Sequence, residues 1–107
     1  MENKTKAQTF IGFAIRARKC KIGMNALQTL KTIDLMICCK TASDNTKKQA
    51  QKIAKKYGCP LLFTTQKTLE QMTFKDNAKV MAVSDKALSK AILDNLENDF
   101  IATELGE

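Results

Sequence analysis

The chain has 107 residues, 44% of them apolar and 27% charged, with 18 Lys or Arg against 11 Asp or Glu and no histidine. That length gives one domain with one core, and the apolar content argues against a disordered chain. No apolar run approaches the roughly 18 residues needed to cross a bilayer, and residues 1–9 are too polar for a secretory signal, so the expected location is the cytoplasm.

Charge is polarised along the chain. Residues 1–58 hold 13 Lys or Arg and three Asp or Glu, whereas residues 59–107 hold five and eight. A polyanion suits the first half, because neutralised phosphates release condensed counterions. A membrane surface would call for an amphipathic anchor with bulky apolar residues opposite the lysines, and none is seen.

Ala7, Phe10, Ile11, Ala14 and Ala17 recur at helical spacing and predict a first helix from about Lys4 to Ala17, with Asn3 or Thr5 as its cap. The basic residues Arg16, Arg18, Lys19 and Lys21 follow, and Gly23 interrupts the pattern before a short helix containing Ala26, Leu27 and Leu30. The basic stretch thus joins two helices, with an edge strand around Lys19 to Ile22 as a further option. Its cations lie beside a glycine turn whose free amides would bind phosphate or base oxygens.

Leu35 to Cys39 is a strand buried on both faces. Thr41 to Asn45 offers N-caps for a helix whose apolar face is Ala50, Ile53, Ala54 and Tyr57, ending at Gly58. Its lysines, Lys47, Lys48, Lys52, Lys55 and Lys56, are read either as no more than its solvated face or as part of the charge that meets a polyanion. Leu61 to Thr64 is a strand after Pro60, Thr68 to Met72 a brief helix and Val80 to Val83 a buried strand. Ser84 or Asp85 then caps a last helix with Ala87, Leu88, Ala91, Ile92 and Leu96 on its apolar face. This alternation predicts an α/β sandwich with a mostly parallel sheet, a core over residues 4–96, and an acidic tail, 97–107, that packs as a last helical turn or competes for the basic surface.

Enzymatic readings are weak. Without histidine the commonest general base and triad partner are missing, and Gly12, Gly23, Gly58 and Gly106 are too far apart for a phosphate loop or a dinucleotide fingerprint. Cys38 and Cys39, adjacent on a strand, point to opposite faces and do not close on one metal ion. Cys20, among cations, is the expected reactive thiol. Asp44, Asp76 and Asp85 fall at helix starts or turns and read as caps. Neither a cofactor nor a metal is expected, and the chain reads as noncatalytic.

Three stretches carry a family likeness: Gly12-Phe13-Ala14-Ile15-Arg16-Ala17-Arg18-Lys19, then Lys21-Ile22-Gly23-Met24-Asn25, then Thr41-Ala42-Ser43-Asp44-Asn45-Thr46 after the apolar strand. In this order, and with Lys75 to Asp85 following, the chain resembles the ribosomal L-seven-Ae / L-thirty-e / Gadd-forty-five superfamily of kink-turn RNA binders, in particular its small bacterial L-seven-Ae-like proteins. The likeness runs from about Lys6 to Asn95. It implies a three-layer α/β/α sandwich with a central mixed four-stranded sheet that docks on a kink-turn, in a ribosome- or ribonucleoprotein-associated role and as a monomer when free.

In that family a Gly opens the turn before the second helix, an Asn and a Glu bond guanines, and a Lys follows one turn later. Gly23 and Asn25 match the first two, Ala26 replaces the acidic residue, and Thr29 stands at the lysine position. The stretch from Gly23 to Leu35 is about three residues shorter than the pattern, so Lys31 replaces that lysine only if the helix is reorganised.

The RNA-binding residues implied are Arg16, Arg18, Lys19 and Lys21 on phosphates, and Gly23, Met24, Asn25, Gln28 and Lys31 around the second helix. Thr41, Ser43 and Asn45 come from one flanking loop, Phe74 and Lys75 from the other. For Phe74, stacking on an extruded base and packing in the core are both open. The alternative function is a protein-interaction or general RNA-affinity module that has lost kink-turn specificity.

Overall fold

In the computed structural model, which describes residues 6–65, 68–73, 75–96 and 100–103, the elements run α1 (Lys6–Arg16), β1 (Cys20–Ile22), α2 (Met24–Leu27), β2 (Leu35–Cys38) and α3 (Asp44–Tyr57), then β3 (Leu61–Thr64), α4 (Leu69–Thr73), β4 (Val80–Val83), α5 (Lys86–Leu93) and β5 (Phe100–Thr103). The strands form one sheet in the order β1-β4-β2-β3-β5.

Strand alternation divides the core between the two faces of this sheet. Leu35, Ile37 and Cys39 join Leu62, Met81 and Val83 beneath α1, α4 and α5. Met36 and Cys38 join Leu61, Val80 and Ala82 beneath α2 and α3. The architecture is a three-layer α/β/α sandwich around a mixed sheet.

The expectation of a mostly parallel sheet is overturned. Among the described residues only β2 and β3 pair in parallel; β1 with β4, β2 with β4 and β3 with β5 are antiparallel. The fourteen-residue α3 is long enough to carry the chain back along the sheet, whereas five-residue α4 spans only about 7.5 Å. After β3 the chain therefore stays at one end of the sheet, and β4 enters from there in the opposite sense.

Two further expectations change. The acidic tail supplies a fifth strand instead of a last helical turn: Phe100 pairs with Thr64 and is itself buried. On α5 the buried face is rotated, with Ser89 and Ile92 inward and Ala87 exposed. The proposed caps Asn3 and Thr5 lie outside the described residues.

The caps of the other long helices follow local chemistry. Ser43 accepts from the Thr46 amide at 3.2 Å and Asp85 from the Leu88 amide at 2.9 Å, which satisfies amides left open at each helix start. At the end of α3, Gly58 takes φ 67°, and the Cys59 amide turns back to the Ala54 carbonyl at 3.0 Å. No helix among the described residues is long and apolar enough to cross a membrane.

Candidate nucleic-acid interface

β1, β2 and β3 run in one direction, so their carboxyl ends lie at one end of the sheet, where the chain leaves each strand in a loop. The β1 exit is Gly23, at φ 100° and ψ 144°, a conformation open to glycine and strained for any side chain. Its amide donates to the Val80 carbonyl at 2.8 Å and its carbonyl accepts from the Leu27 amide at 3.0 Å. Met24 packs partly on the α2–α3 side of the core, while Asn25 and Gln28 are exposed.

The second helix is a single turn. Thr29 closes it with both its amide and its hydroxyl on the Ala26 carbonyl, at 3.1 and 2.7 Å. Lys31 is therefore exposed in the connection beyond the helix and does not share its face. So short a helix has little summed dipole, which weakens the expectation that its amides alone hold phosphate.

The start of β4 ties this turn to the loop after β2. Val80 holds Gly23, while the preceding Lys79 carbonyl accepts from the Cys39 amide at 2.8 Å. The Lys79 ammonium donates to the Thr41 hydroxyl and to Glu70 Oε1, both at 3.0 Å. Glu70 Oε2 also accepts from the amide of Asn77, which stands at φ 58°. Gly23, Thr41 and the 75–79 loop thus form one bonded junction. Within it Thr41 and Ser43 already serve the fold, Ser43 as the α3 cap, whereas Asn45 and Lys75 are exposed. Phe74 lies outside the described residues.

The basic stretch does not sit at this junction. Strand β1 separates it from the turn, and Lys19 and Gly23 stand about 13 Å apart along the chain, because the three residues of β1 intervene and make four extended steps of about 3.3 Å. The Lys19 carbonyl accepts from the Ser84 amide at 2.8 Å, at the opposite end of the sheet. Arg18 occupies the left-handed position that ends α1, with φ 58°. Arg16 folds back along α1, its guanidinium 5.1 Å from the Phe13 ring centre. Only Lys21, exposed on β1, points to the α2–α3 side, since its neighbours Cys20 and Ile22 face the other layer.

The thiols also differ from expectation. At Cys20, burial raises the pKa against the fields of Lys75 and Lys21, the opposite of the lowering that its cationic neighbours suggested. Burial pushes Cys39 upward too, but hydrogen bonds from Thr41 and the Leu69 amide outweigh it and the net direction is down. Cys39 is nevertheless fully buried. Cys38 and Cys39 face opposite layers, as adjacent strand residues must.

Gln28, at the end of α2, and one face of α3 border a cleft of about 300 Å³ lined by Gln28, Gln49, Lys52, Ile53, Lys56 and Tyr57. The Tyr57 hydroxyl donates to the Leu30 carbonyl at 2.9 Å, fixing one wall to the end of the α2 turn. Lys56 sits 6.0 Å from the Tyr57 ring centre. Gln28 alone of these was singled out from sequence as a binding residue. The others carry no motif, and the only sequence signal for them was the lysine-rich face of their helix.

No family model matches the chain, and no curated protein does either. A solved structure of a protein with unknown function from Bacillus halodurans superposes with a TM-score of 0.72 and 24% identity, over 85% of this chain and 96% of that one. The two share a fold. At that identity the likeness supports the α/β sandwich and says nothing about activity.

Proposed function

We propose that this protein is a noncatalytic binder of structured RNA, a kink-turn or a related bend, working in a cytoplasmic ribosome- or ribonucleoprotein-associated setting. The observation that carries the reading is the bonded junction in which Lys79 and Val80 hold the Gly23 turn on one side and Thr41 on the other. It gathers at one edge the three segments that the likeness to kink-turn binders implies as an RNA surface. In this reading Asn25, which follows Met24 and is exposed, reads a base edge, and the exposed Lys21, Asn45 and Lys75 take phosphates.

Arg16, Arg18 and Lys19 then act on a distal part of the RNA or contribute only to the general field. The test is a gel-shift titration against a standard kink-turn and a control with its G·A pairs disrupted. Asn25→Ala is expected to lose about 1–3 kcal/mol of discrimination between the two while retaining salt-sensitive affinity. Equal binding of both RNAs by the wild-type chain overturns the specific reading.

One observation favours the general-affinity alternative. Ala26 offers no carboxylate for guanine, and Lys31 is off the helix, so two of the family's four contacts have no counterpart on this turn. Salt-sensitive binding to any duplex is the result that reading expects.

A further inference from the structure

We propose that the α2–α3 cleft is a second RNA-contact site, which takes one unstacked nucleobase of a single-stranded segment while Lys52 and Lys56 hold the flanking phosphates. The inference takes its ligand class from the RNA-binding reading above and adds a site outside the Gly23 junction. After Asp44, α3 carries five lysines and no acidic residue. Among the described residues, no ion pair engages Lys48, Lys52, Lys55 or Lys56. These cations are exposed apart from the Lys56 approach to Tyr57, so α3 presents a continuous basic face on this layer.

Shape then selects among polyanions. Lys52 and Lys56 lie one helical turn apart, about 6 Å along the axis, on the wall of a concave site. The backbone of a rigid duplex would run past such a concavity without entering it. A single strand with a base splayed from its stack can follow the lysines and fill it. Within the cleft, Ile53 and Tyr57 present an apolar and aromatic wall, and Gln28 and Gln49 present amides at its border. A glutamine amide pairs bidentately with the N6 and N7 edge of adenine, which makes adenine the preferred base. Gln28 immediately follows α2, so a strand leaving the Gly23 junction reaches the cleft without crossing another element.

The test uses the full chain and a fluorescein-labelled octameric oligoadenylate, followed by anisotropy across a salt series. Lys52→Gln/Lys56→Gln is expected to weaken binding about tenfold at low salt and to reduce the magnitude of the log–log salt slope by about 1.4, two single-strand phosphate contacts. Lys86→Gln/Lys90→Gln on α5 removes the same charge from the opposite layer and is expected to change affinity by no more than about twofold. Glutamine matches lysine in helix propensity, so both variants should fold. Gln28→Ala is expected to reduce the preference for oligoadenylate over oligouridylate.

Equal losses in the two lysine pairs would mean net charge alone and would overturn the site. So would a polyglutamate peptide that displaces oligoadenylate from the wild type but not from the α3 variant. Kink-turn discrimination measured beside oligoadenylate affinity in the α3 variant separates the two proposals. Kink-turn discrimination with no α3 effect removes only the cleft, while an α3-dependent single-strand affinity without kink-turn discrimination removes only the specific reading of the junction.

Discussion

Arg18 ends α1 in a left-handed conformation that glycine usually supplies, with the Lys19 amide returning to the Ala14 carbonyl at 2.9 Å and its own amide to Ile15 at 3.2 Å. A side chain there costs about 1 kcal/mol. Arg18→Gly is therefore expected to stabilise the fold by about that amount, read as a thermal midpoint raised by about 4 °C. A lowered midpoint would show that the arginine side chain holds the turn. Ser89 presents the converse case, a hydroxyl buried on α5 without a hydrogen-bond partner among the described residues. Since an unsatisfied buried hydroxyl costs about 1–3 kcal/mol, Ser89→Ala is expected to raise the denaturation midpoint, and an unchanged or lower one would reveal a partner for that oxygen. Neither position was visible in the sequence. Arg18 read as one cation in a basic run, and Ser89 as a polar residue outside the apolar face, because a helix register one residue away leaves much the same pattern of Leu88, Ile92 and Leu96.

At the scale of elements, the Gly23 turn is where backbone chemistry decides most. A Cβ built on Gly23 meets nothing within 4 Å, so the cost of Gly23→Ala lies in its φ of 100° and not in a clash. The expected loss is about 1–3 kcal/mol by chemical denaturation, with displacement of Asn25 and hence weaker RNA discrimination. Full stability in that variant would mean that the turn relaxes freely. The strands Leu35–Cys38 and Val80–Val83 were legible because continuous apolar runs suit a strand covered on both faces. Their relative direction was not. Hydrophobic pattern reports burial, whereas direction here depends on α4 being too short to cross the sheet. The same blindness joined the basic run to the Gly23 turn: four residues of separation in sequence place Lys19 and Gly23 at opposite ends of β1. The cleft was less legible still, because Gln28 and the Gln49 to Tyr57 segment meet only after the sheet stacks α2 against α3.

In the whole molecule, the positive charge of residues 1–58 is divided between the two layers, with Lys6 and Arg16 on α1 and five lysines on α3. The α2–α3 layer carries the lysine face of α3, while α1, α4, α5 and the β5 edge surround the other half of the core. Stability and recognition can accordingly be separated by mutation. Phe100 is buried on the α1–α5 side of the sheet and anchors β5 against β3, remote from Asn25 and from the cleft. Truncating a buried phenylalanine removes its transfer free energy and leaves a cavity, so Phe100→Ala is expected to cost about 3–5 kcal/mol. That is a large part of the roughly 5–15 kcal/mol that holds an ordinary domain together, and the unfolding midpoint should fall steeply. Measured well below that midpoint, RNA affinity should stay at the wild-type level, because no proposed contact lies on β5 or α5. A matching loss of affinity in the still-folded variant would show that the C-terminal strand belongs to the binding surface, and would move the interface from the α2–α3 layer to the other side of the sheet.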